Sequence, residues 1–160
     1  MMVDREKLFC FGLGYSAQFL ARRLSAQGWA VTGTSRDGGG AAVPFSRHHP
    51  LVGPARKMAG TSHFLFSVPP DVDGDPVLDC HGADIAKLEG LRWLGYLSTT
   101  GVYGDQEGGW VDEATPTAPN EQLNQRSQWR VAAEQAWLAW GRGYGLPVHI
   151  FRLAGIYGPN

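Results

Sequence analysis

A glycine turn near the N-terminus has the spacing that binds phosphate groups. Gly12, Gly14 and Ala17 form a G-x-G-x-x-A pattern, with Tyr15 and Ser16 between them, directly after the apolar run "KLFCF". The first glycine allows a tight turn, the second lets the backbone approach a pyrophosphate, and the third position needs only a small residue. A helix that begins here directs free N–H groups at the phosphates. The pattern predicts a dinucleotide site over residues 12–17; the alternative is a tight turn without a ligand.

The end of the next apolar segment carries residues that would choose between NAD and NADP. In "GTSRD" the position of a ribose-binding carboxylate falls near Ser35, with Arg36 beside it. A guanidinium holds a 2′-phosphate through two hydrogen bonds, and Thr34 or Ser35 can donate to it, which favours NADP. Asp37 is the counter-argument, because a shift of two residues would put a carboxylate at the ribose and allow NAD. A second alternative makes Arg36 a solvated loop cation.

A third set of residues places hydroxyl groups at the end of a predicted strand. Ser98, Thr99 and Thr100 end the apolar segment "RWLGYL", and Tyr103 follows them.

Charged residues at helical spacing follow a polar loop. Arg126, Arg130 and Glu134 are four residues apart, while Trp129 and Trp137 mark the apolar face of the same predicted helix. Arginine stays protonated at neutral pH, so it can bind an anion or stabilise negative charge but cannot act as a base. The alternative for the three charged residues is a solvated face.

Strands and helices alternate along the chain and must position these residues. Apolar runs predict strands, and a stripe of Phe19, Leu20 and Leu24 predicts the buried face of the first helix. Another helix is expected to be broken or weakened near Gly82. The predicted strands are 7–14, 29–36, 43–45, 63–70, 92–100 and 147–158, and the helices are 15–28, 53–60, 75–91 and 123–142. This alternation predicts an α/β fold of the Rossmann type, a doubly wound parallel sheet with helices on both faces.

Two motifs carry a family resemblance. The segments "LSTTGVYGD" and "FRLAGIYGP", in this order and spacing, resemble the NAD-dependent epimerase/dehydratase family within the extended and atypical short-chain dehydrogenase/reductases. The nucleoside-diphosphate-sugar epimerase-like branch is the most similar, and the resemblance covers nearly the whole chain.

The resemblance implies a catalytic set that this chain only partly has. In the family the position of Thr99 polarises the substrate, and a tyrosine made basic by a lysine four residues later moves the proton. Alignment on Glu134 puts Arg126 at the tyrosine and Arg130 at the lysine. Three readings follow. The protein is a reductase that uses Tyr103 or a water held by Thr99, an enzyme whose arginines bind an anionic substrate such as a sugar diphosphate, or a non-catalytic dinucleotide-binding sensor or scaffold.

The resemblance also implies further cofactor contacts and a domain boundary. Ser67, Val68 and Pro69 match the loop over the cofactor's ribose and phosphates. The segment that flanks the nicotinamide matches Ala154, Gly155 and Ile156. Residues 1–160 are expected to form one NAD(P)-binding domain, with the family's C-terminal substrate domain absent and the stretch 37–62 shortened.

Composition limits the partners. The 160 residues are 43% hydrophobic and 18% charged, with a net charge of -1, so neither a nucleic-acid nor a membrane partner is expected. Two cysteines, Cys10 and Cys80, and a charged N-terminus favour a reduced, cytoplasmic protein. The expected partner is a small-molecule substrate such as a sugar nucleotide, and a homodimer is compatible with this composition.

Two metal-like motifs do not satisfy the geometry that metals need, so no metal site is predicted. "DVDGD", at 71–75, has its glycine at the fourth position of a calcium-type loop rather than the sixth. His48 and His49 lie together without other ligands at metal spacing.

Overall fold

The structure is a computed structural model that describes residues 5–158. Its strands are β1 (Lys7–Phe11), β2 (Ala30–Ser35), β3 (Val43–Pro44), β4 (His63–Phe66), β5 (Trp93–Thr99) and β6 (Val148–Leu153). Its α-helices are α1 (Tyr15–Ala26), α2 (Pro54–Lys57), α3 (Pro76–Ile85) and α4 (Gln125–Tyr144), and two short 3-10 helices lie at Thr100–Tyr103 and Asn120–Gln122. The strands form one sheet in the order β3-β2-β1-β4-β5-β6, and every pairing is parallel.

The two faces of the sheet bury different side chains, because successive residues of a strand point in opposite directions. Phe9 and Phe11 of β1 and Phe64 and Phe66 of β4 are almost fully buried on the face that packs against α3 and α4. Trp137 of α4 stacks on Phe66 with ring centroids 4.1 Å apart. The other face buries Leu8 and Cys10 of β1 and Leu65 of β4 against Ala17 of α1. The predicted α/β class, with helices on both faces of a parallel sheet, is confirmed.

Helix α4 has a defined beginning and end. The Asn124 side chain accepts a hydrogen bond from the Ser127 amide at 3.0 Å, which satisfies one of the free donors at the helix start. Gly145 ends the helix in the left-handed region, with φ 66°. The helix therefore begins two residues later and ends two residues later than predicted.

Two local predictions are wrong. Phe19 is 44% exposed and packs against Tyr15 and Arg22 on the outer side of α1, so the buried residue of that turn is Ala17. Helix α3 runs through Gly82 without a break, because the missing side chain leaves room for Trp140 of α4. A Cβ at Gly82 would lie 3.3 Å from the indole nitrogen of Trp140. None of the helices within residues 5–158 has the length and hydropathy needed to cross a membrane.

Replacing Trp137 with alanine should destabilise the fold by about 3–5 kcal/mol, because the indole is fully buried against Phe66 and its removal leaves a cavity. The matched control is Trp110→Ala, since Trp110 is fully exposed and its loss should change stability by less than about 0.5 kcal/mol. Urea unfolding followed by circular dichroism measures both. Equal effects of the two substitutions would contradict the packing described for α4.

Candidate functional site

The glycine turn joins the carboxyl ends of three strands. Gly12 has φ +92°, and a Cβ there would lie 2.5 Å from Ser67 Oγ, so the position requires glycine. The Gly12 amide donates to Thr34 Oγ1 at 3.0 Å, and the Leu13 amide donates to the Thr34 carbonyl at 2.7 Å. The ends of β1, β2 and β4 are thereby fixed against one another at the start of α1.

The start of α1 is open on one side and packed on the other. Gly14 precedes the helix without a side-chain cap, and a Cβ there would meet no atom within 4 Å. Ala17 is 1% exposed and packs against the sheet. The start of the helix at Gly14 therefore has no side-chain cap and faces open space, which is the arrangement that accepts an anion.

A cleft of about 510 Å³ lies above this turn. Seven of the predicted cofactor residues line it, namely Gly12, Gly14, Ser35, Arg36, Ser67, Val68 and Pro69. Phe45, Arg47, His48 and Asp71 also line it and were not predicted as site residues. The sequence gives little signal for Phe45, Arg47 and His48, because they follow a strand of only two residues, whereas Asp71 lies in the loop after β4.

The side chains at the end of β2 make different contacts. Thr34 is buried and its hydroxyl binds the glycine turn. Ser35 Oγ accepts from the amides of Gly38 and Gly39 at 2.9 and 3.3 Å, and so shapes the following loop. Arg36 is exposed, and within the described chain it has no hydrogen-bond or ion-pair partner. Its guanidinium is therefore available to a ligand in the cleft.

The predicted nicotinamide-flanking residues lie apart from this cleft. Ala154, Gly155 and Ile156 line a mostly apolar pocket of about 550 Å³, together with Ser16 of α1 and Phe151 of β6. Their cofactor role stays a prediction.

The hydroxyl residues after β5 are already engaged. Thr99 Oγ1 accepts from the Gly101 amide at 3.1 Å and so caps the 3-10 helix, which leaves its own O–H free to donate. Tyr103 is 5% exposed; its hydroxyl donates to the Asp112 carbonyl at 2.8 Å and accepts from Arg152 at 3.1 Å. The proton of Tyr103 is thus directed into a loop contact.

Helix α4 places its three charged residues in different environments. Arg126 is exposed and has no partner among residues 5–158. Arg130 is half-buried and donates to the Leu97 carbonyl at 2.6 Å and to the Tyr96 hydroxyl at 3.2 Å. Glu134 is 3% exposed. The expectation that these three residues form a solvated charged face is therefore correct for Arg126 and wrong for Glu134.

Glu134 is buried because Arg152 on β6 reaches it. The Arg152 guanidinium donates to both carboxylate oxygens, with the closest contact at 2.8 Å, and Ser98 Oγ donates to the same carboxylate. These hydrogen bonds to Glu134 raise the pKa of Arg152 above its ordinary value. Sequence reasoning missed Arg152, although an arginine inside the apolar run "VHIFRL" was the available signal, because a buried charge needs a partner.

The hydroxyls of Tyr96 and Tyr103 are already engaged in hydrogen bonds. Burial raises the pKa of Tyr96, which is fully buried beneath Arg130. The hydroxyl of Tyr103 is held by Arg152 and Asp112. Within the described residues no three His, Cys, Asp or Glu side chains cluster as a metal site would require. Asp71, in the calcium-like segment, instead binds Arg47 at 2.8 Å.

The fold and the glycine turn define a Rossmann-type domain. Residues 83–160 match the NAD dependent epimerase/dehydratase family. The resemblance to this family that the sequence motifs indicated is therefore confirmed.

This chain spans between 54% and 60% of the length of the similar proteins described next. Protein YeeZ of Escherichia coli (strain K12) is 29% identical, and the match covers 97% of this chain and 60% of YeeZ. The solved structure of a functionally unknown conserved protein from Silicibacter pomeroyi DSS is 45% identical with a TM-score of 0.81, over 96% of this chain and 54% of that one. UDP-glucuronic acid 4-epimerase from Bacillus cereus, solved in complex with NAD, shares the fold at 16% identity and a TM-score of 0.73, over 96% and 58% of the two chains.

Replacing Arg152 with methionine should destabilise the fold by about 3 kcal/mol, because it leaves the Glu134 carboxylate buried without its ion-pair partner. Arg142→Met is the matched control, since Arg142 is exposed near the end of α4 and its loss should cost less than about 0.5 kcal/mol. Chemical denaturation of the two variants measures the difference. A stability of Arg152→Met close to that of the control would show that the pair contributes nothing.

Proposed function

We propose that this chain binds NADP(H) through the glycine turn and belongs to an oxidoreductase or nucleotide-sugar epimerase/dehydratase-like protein that lacks the usual tyrosine and lysine pair. The observation that carries the proposal is the uncapped start of α1, open above Gly14 at the floor of a cleft of about 510 Å³. A pyrophosphate would accept hydrogen bonds from the backbone at this uncapped helix start, and the glycine at position 12 keeps the turn close enough to the cleft.

The preference for NADP rests on Arg36. Its guanidinium is exposed, lines the cleft and has no partner within residues 5–158, so it can hold a 2′-phosphate through charge-assisted hydrogen bonds. Asp37 is exposed beside it, and the Bacillus cereus epimerase was solved with NAD. NAD is therefore the competing cofactor, and the comparison of the two tests the role of Arg36.

The chemistry would be the transfer of a hydride, which the nicotinamide ring supplies when the cofactor is bound. Thr99 is the residue best prepared to act on the substrate, because its oxygen is fixed by the Gly101 amide while its O–H can donate to a substrate oxygen. Arg130 stays protonated and is held at the end of β5 by Leu97 and Tyr96, so it would stabilise negative charge rather than remove a proton.

A sugar nucleotide is the substrate class that the arginines favour. Helix α4 begins at the carboxyl edge of the sheet, since it follows β5 in a right-handed crossover to β6. Arg126 and Arg130 therefore occupy its first two turns at the edge where ligands bind in such folds. A diphosphate is the anion that two such guanidinium groups would attract, and UDP-N-acetylglucosamine 4-epimerase from Bacillus cereus is among the structural neighbours.

A non-catalytic dinucleotide-binding sensor or scaffold is the second candidate. It is favoured because Arg126 and Arg130 stay protonated, and because the hydroxyls of Tyr96 and Tyr103 are buried and hydrogen-bonded. This candidate shares the cofactor cleft and differs in having no turnover.

Arg36→Ala should weaken NADPH binding about tenfold or more and change NADH binding less than about twofold, because only NADPH carries the 2′-phosphate. Isothermal titration calorimetry measures both affinities. Arg56→Ala, which removes an exposed arginine of α2 outside the cleft, should bind both cofactors as the unaltered protein does. Equal affinity of the unaltered protein for NADPH and NADH would contradict the role of Arg36 in binding the 2′-phosphate. If the unaltered protein bound neither cofactor, the proposed cofactor site would be refuted.

Thr99→Val should lower turnover of a sugar nucleotide about a hundredfold or more, because the hydroxyl that polarises the substrate is lost. Chromatography of the reaction products detects epimerisation, and the absorbance of NADPH detects net oxidation or reduction. Thr32→Val, at an exposed position on β2, is the matched control. Turnover that survives Thr99→Val would exclude Thr99, and no turnover by the unaltered protein across a panel of sugar nucleotides would favour the sensor.

A further inference from the structure

The segment "DVDGD" after β4 forms an ion pair with an arginine side chain of the same chain. The carboxylate of Asp71 accepts two hydrogen bonds from Arg47, from Nε and Nη2, both at 2.8 Å. Asp79 of α3 accepts a third from Nη1 of the same guanidinium at 2.7 Å. Arg47 follows β3, so this ion cluster joins the two loops on either side of the cleft.

The carboxylates in this cluster are held rigidly. Asp71 and Gly74 exchange backbone hydrogen bonds of 2.9 and 3.2 Å, and the Asp73 amide donates to Asp71 Oδ1 at 3.0 Å. Asp75 then caps α3 by accepting from the amides of Val77 and Leu78 at 2.9 Å. A tight turn and a capped helix therefore set the plane of the Arg47 guanidinium before any ligand arrives.

The charge of the cluster argues against a phosphate at Arg47. One guanidinium and two carboxylates sum to -1, and the contacts with Asp71 come first among the causes that raise the pKa of Arg47. An incoming phosphate would meet two carboxylates already bound to the edges of the guanidinium. The unpaired cation that lines this cleft within residues 5–158 is Arg36.

The flat faces of the Arg47 guanidinium are not used by its carboxylate partners, which bind its edges. Three of its five N–H groups are used within the plane by the two carboxylates. The side chain is half-buried and lines the cleft with Gly14, Arg36 and Val68. A guanidinium whose edges are paired stacks well on an aromatic ring, and the faces of nucleobases are bound by arginine in this way.

We propose that Arg47 is a specificity-determining residue that stacks on the adenine ring of the cofactor, while Arg36 takes the 2′-phosphate. This inference rests on the proposed cofactor function. It assigns different parts of the cofactor to the two arginines of the cleft. Recognition of the base would depend on Arg47 and its carboxylates, and recognition of the phosphate would depend on Arg36.

Calorimetric titration with AMP and with adenosine 2′,5′-bisphosphate separates the two arginines. Arg47→Ala should weaken both ligands about tenfold and leave the ratio of their affinities unchanged. Arg47→Lys should behave like Arg47→Ala, because lysine keeps the charge but has no flat face. Arg36→Ala should weaken the bisphosphate alone. Asp73→Asn, in the same turn and exposed, should bind both ligands normally.

Reduced nicotinamide mononucleotide, which lacks adenine, distinguishes stacking from a merely structural role. Its affinity should be the same for Arg47→Ala and the unaltered protein, and a parallel loss would make Arg47 structural. Full rescue by Arg47→Lys, or unchanged AMP affinity in Arg47→Ala, would overturn the inference. If the unaltered protein binds neither adenine nucleotide, the proposed function itself fails. If Arg36→Ala behaves as expected and Arg47→Ala does not, the error lies in the role of Arg47 alone.

Should Arg47→Ala fail to fold, as judged by circular dichroism, Asp79→Asn provides the second test. This substitution keeps the bidentate contact between Arg47 and Asp71 and removes the charge of the third hydrogen-bond partner. It should weaken AMP and the bisphosphate equally, by a few-fold, because the guanidinium plane is less firmly held. An unequal effect on the two ligands, or none, would contradict a stacking role.

Discussion

The contact of Gly12 with Thr34 and Ser67 is the constraint on which the rest of the site depends. It brings the carboxyl ends of β1, β2 and β4 together, and no side chain larger than hydrogen fits between them. Because the turn is this tight, α1 begins at the floor of the cleft without a side-chain cap. The cleft, the position of Arg36 and the approach of a pyrophosphate all follow from that one close packing.

A second constraint lies at the other end of the sheet, where Glu134 and Arg152 form a buried ion pair. The pair ties α4 to β6, and through Ser98 and Tyr103 it also ties the end of β5 and the loop that follows. Removing either partner would leave a buried charge, so the pair fixes the register of α4 against the sheet. Arg130 is thereby held at Leu97 and Tyr96, where it can stabilise negative charge but cannot accept a proton.

The sequence predicted the elements that local patterns determine and missed those that tertiary packing determines. Apolar runs and the glycine spacing located the strands, the turn at Gly12 and the packing of Ala17. The wrong expectations have one physical cause. The spacing of apolar residues along the chain does not reveal which residues of other elements pack against a given side chain. Gly82 stays helical because Trp140 fills its space, and Glu134 is buried because Arg152 reaches it from a strand eighteen residues later.

The central claim is that the open start of α1 binds the pyrophosphate of a dinucleotide. Titration of ¹⁵N-labelled protein with NADPH, followed by amide resonances, tests it directly. The account predicts that the amides of Gly14, Tyr15 and Ser16 shift most strongly, with further shifts in the loop at Arg36. Saturable binding that leaves those three amides unmoved, or shifts confined to the pocket beside Ala154, would contradict it.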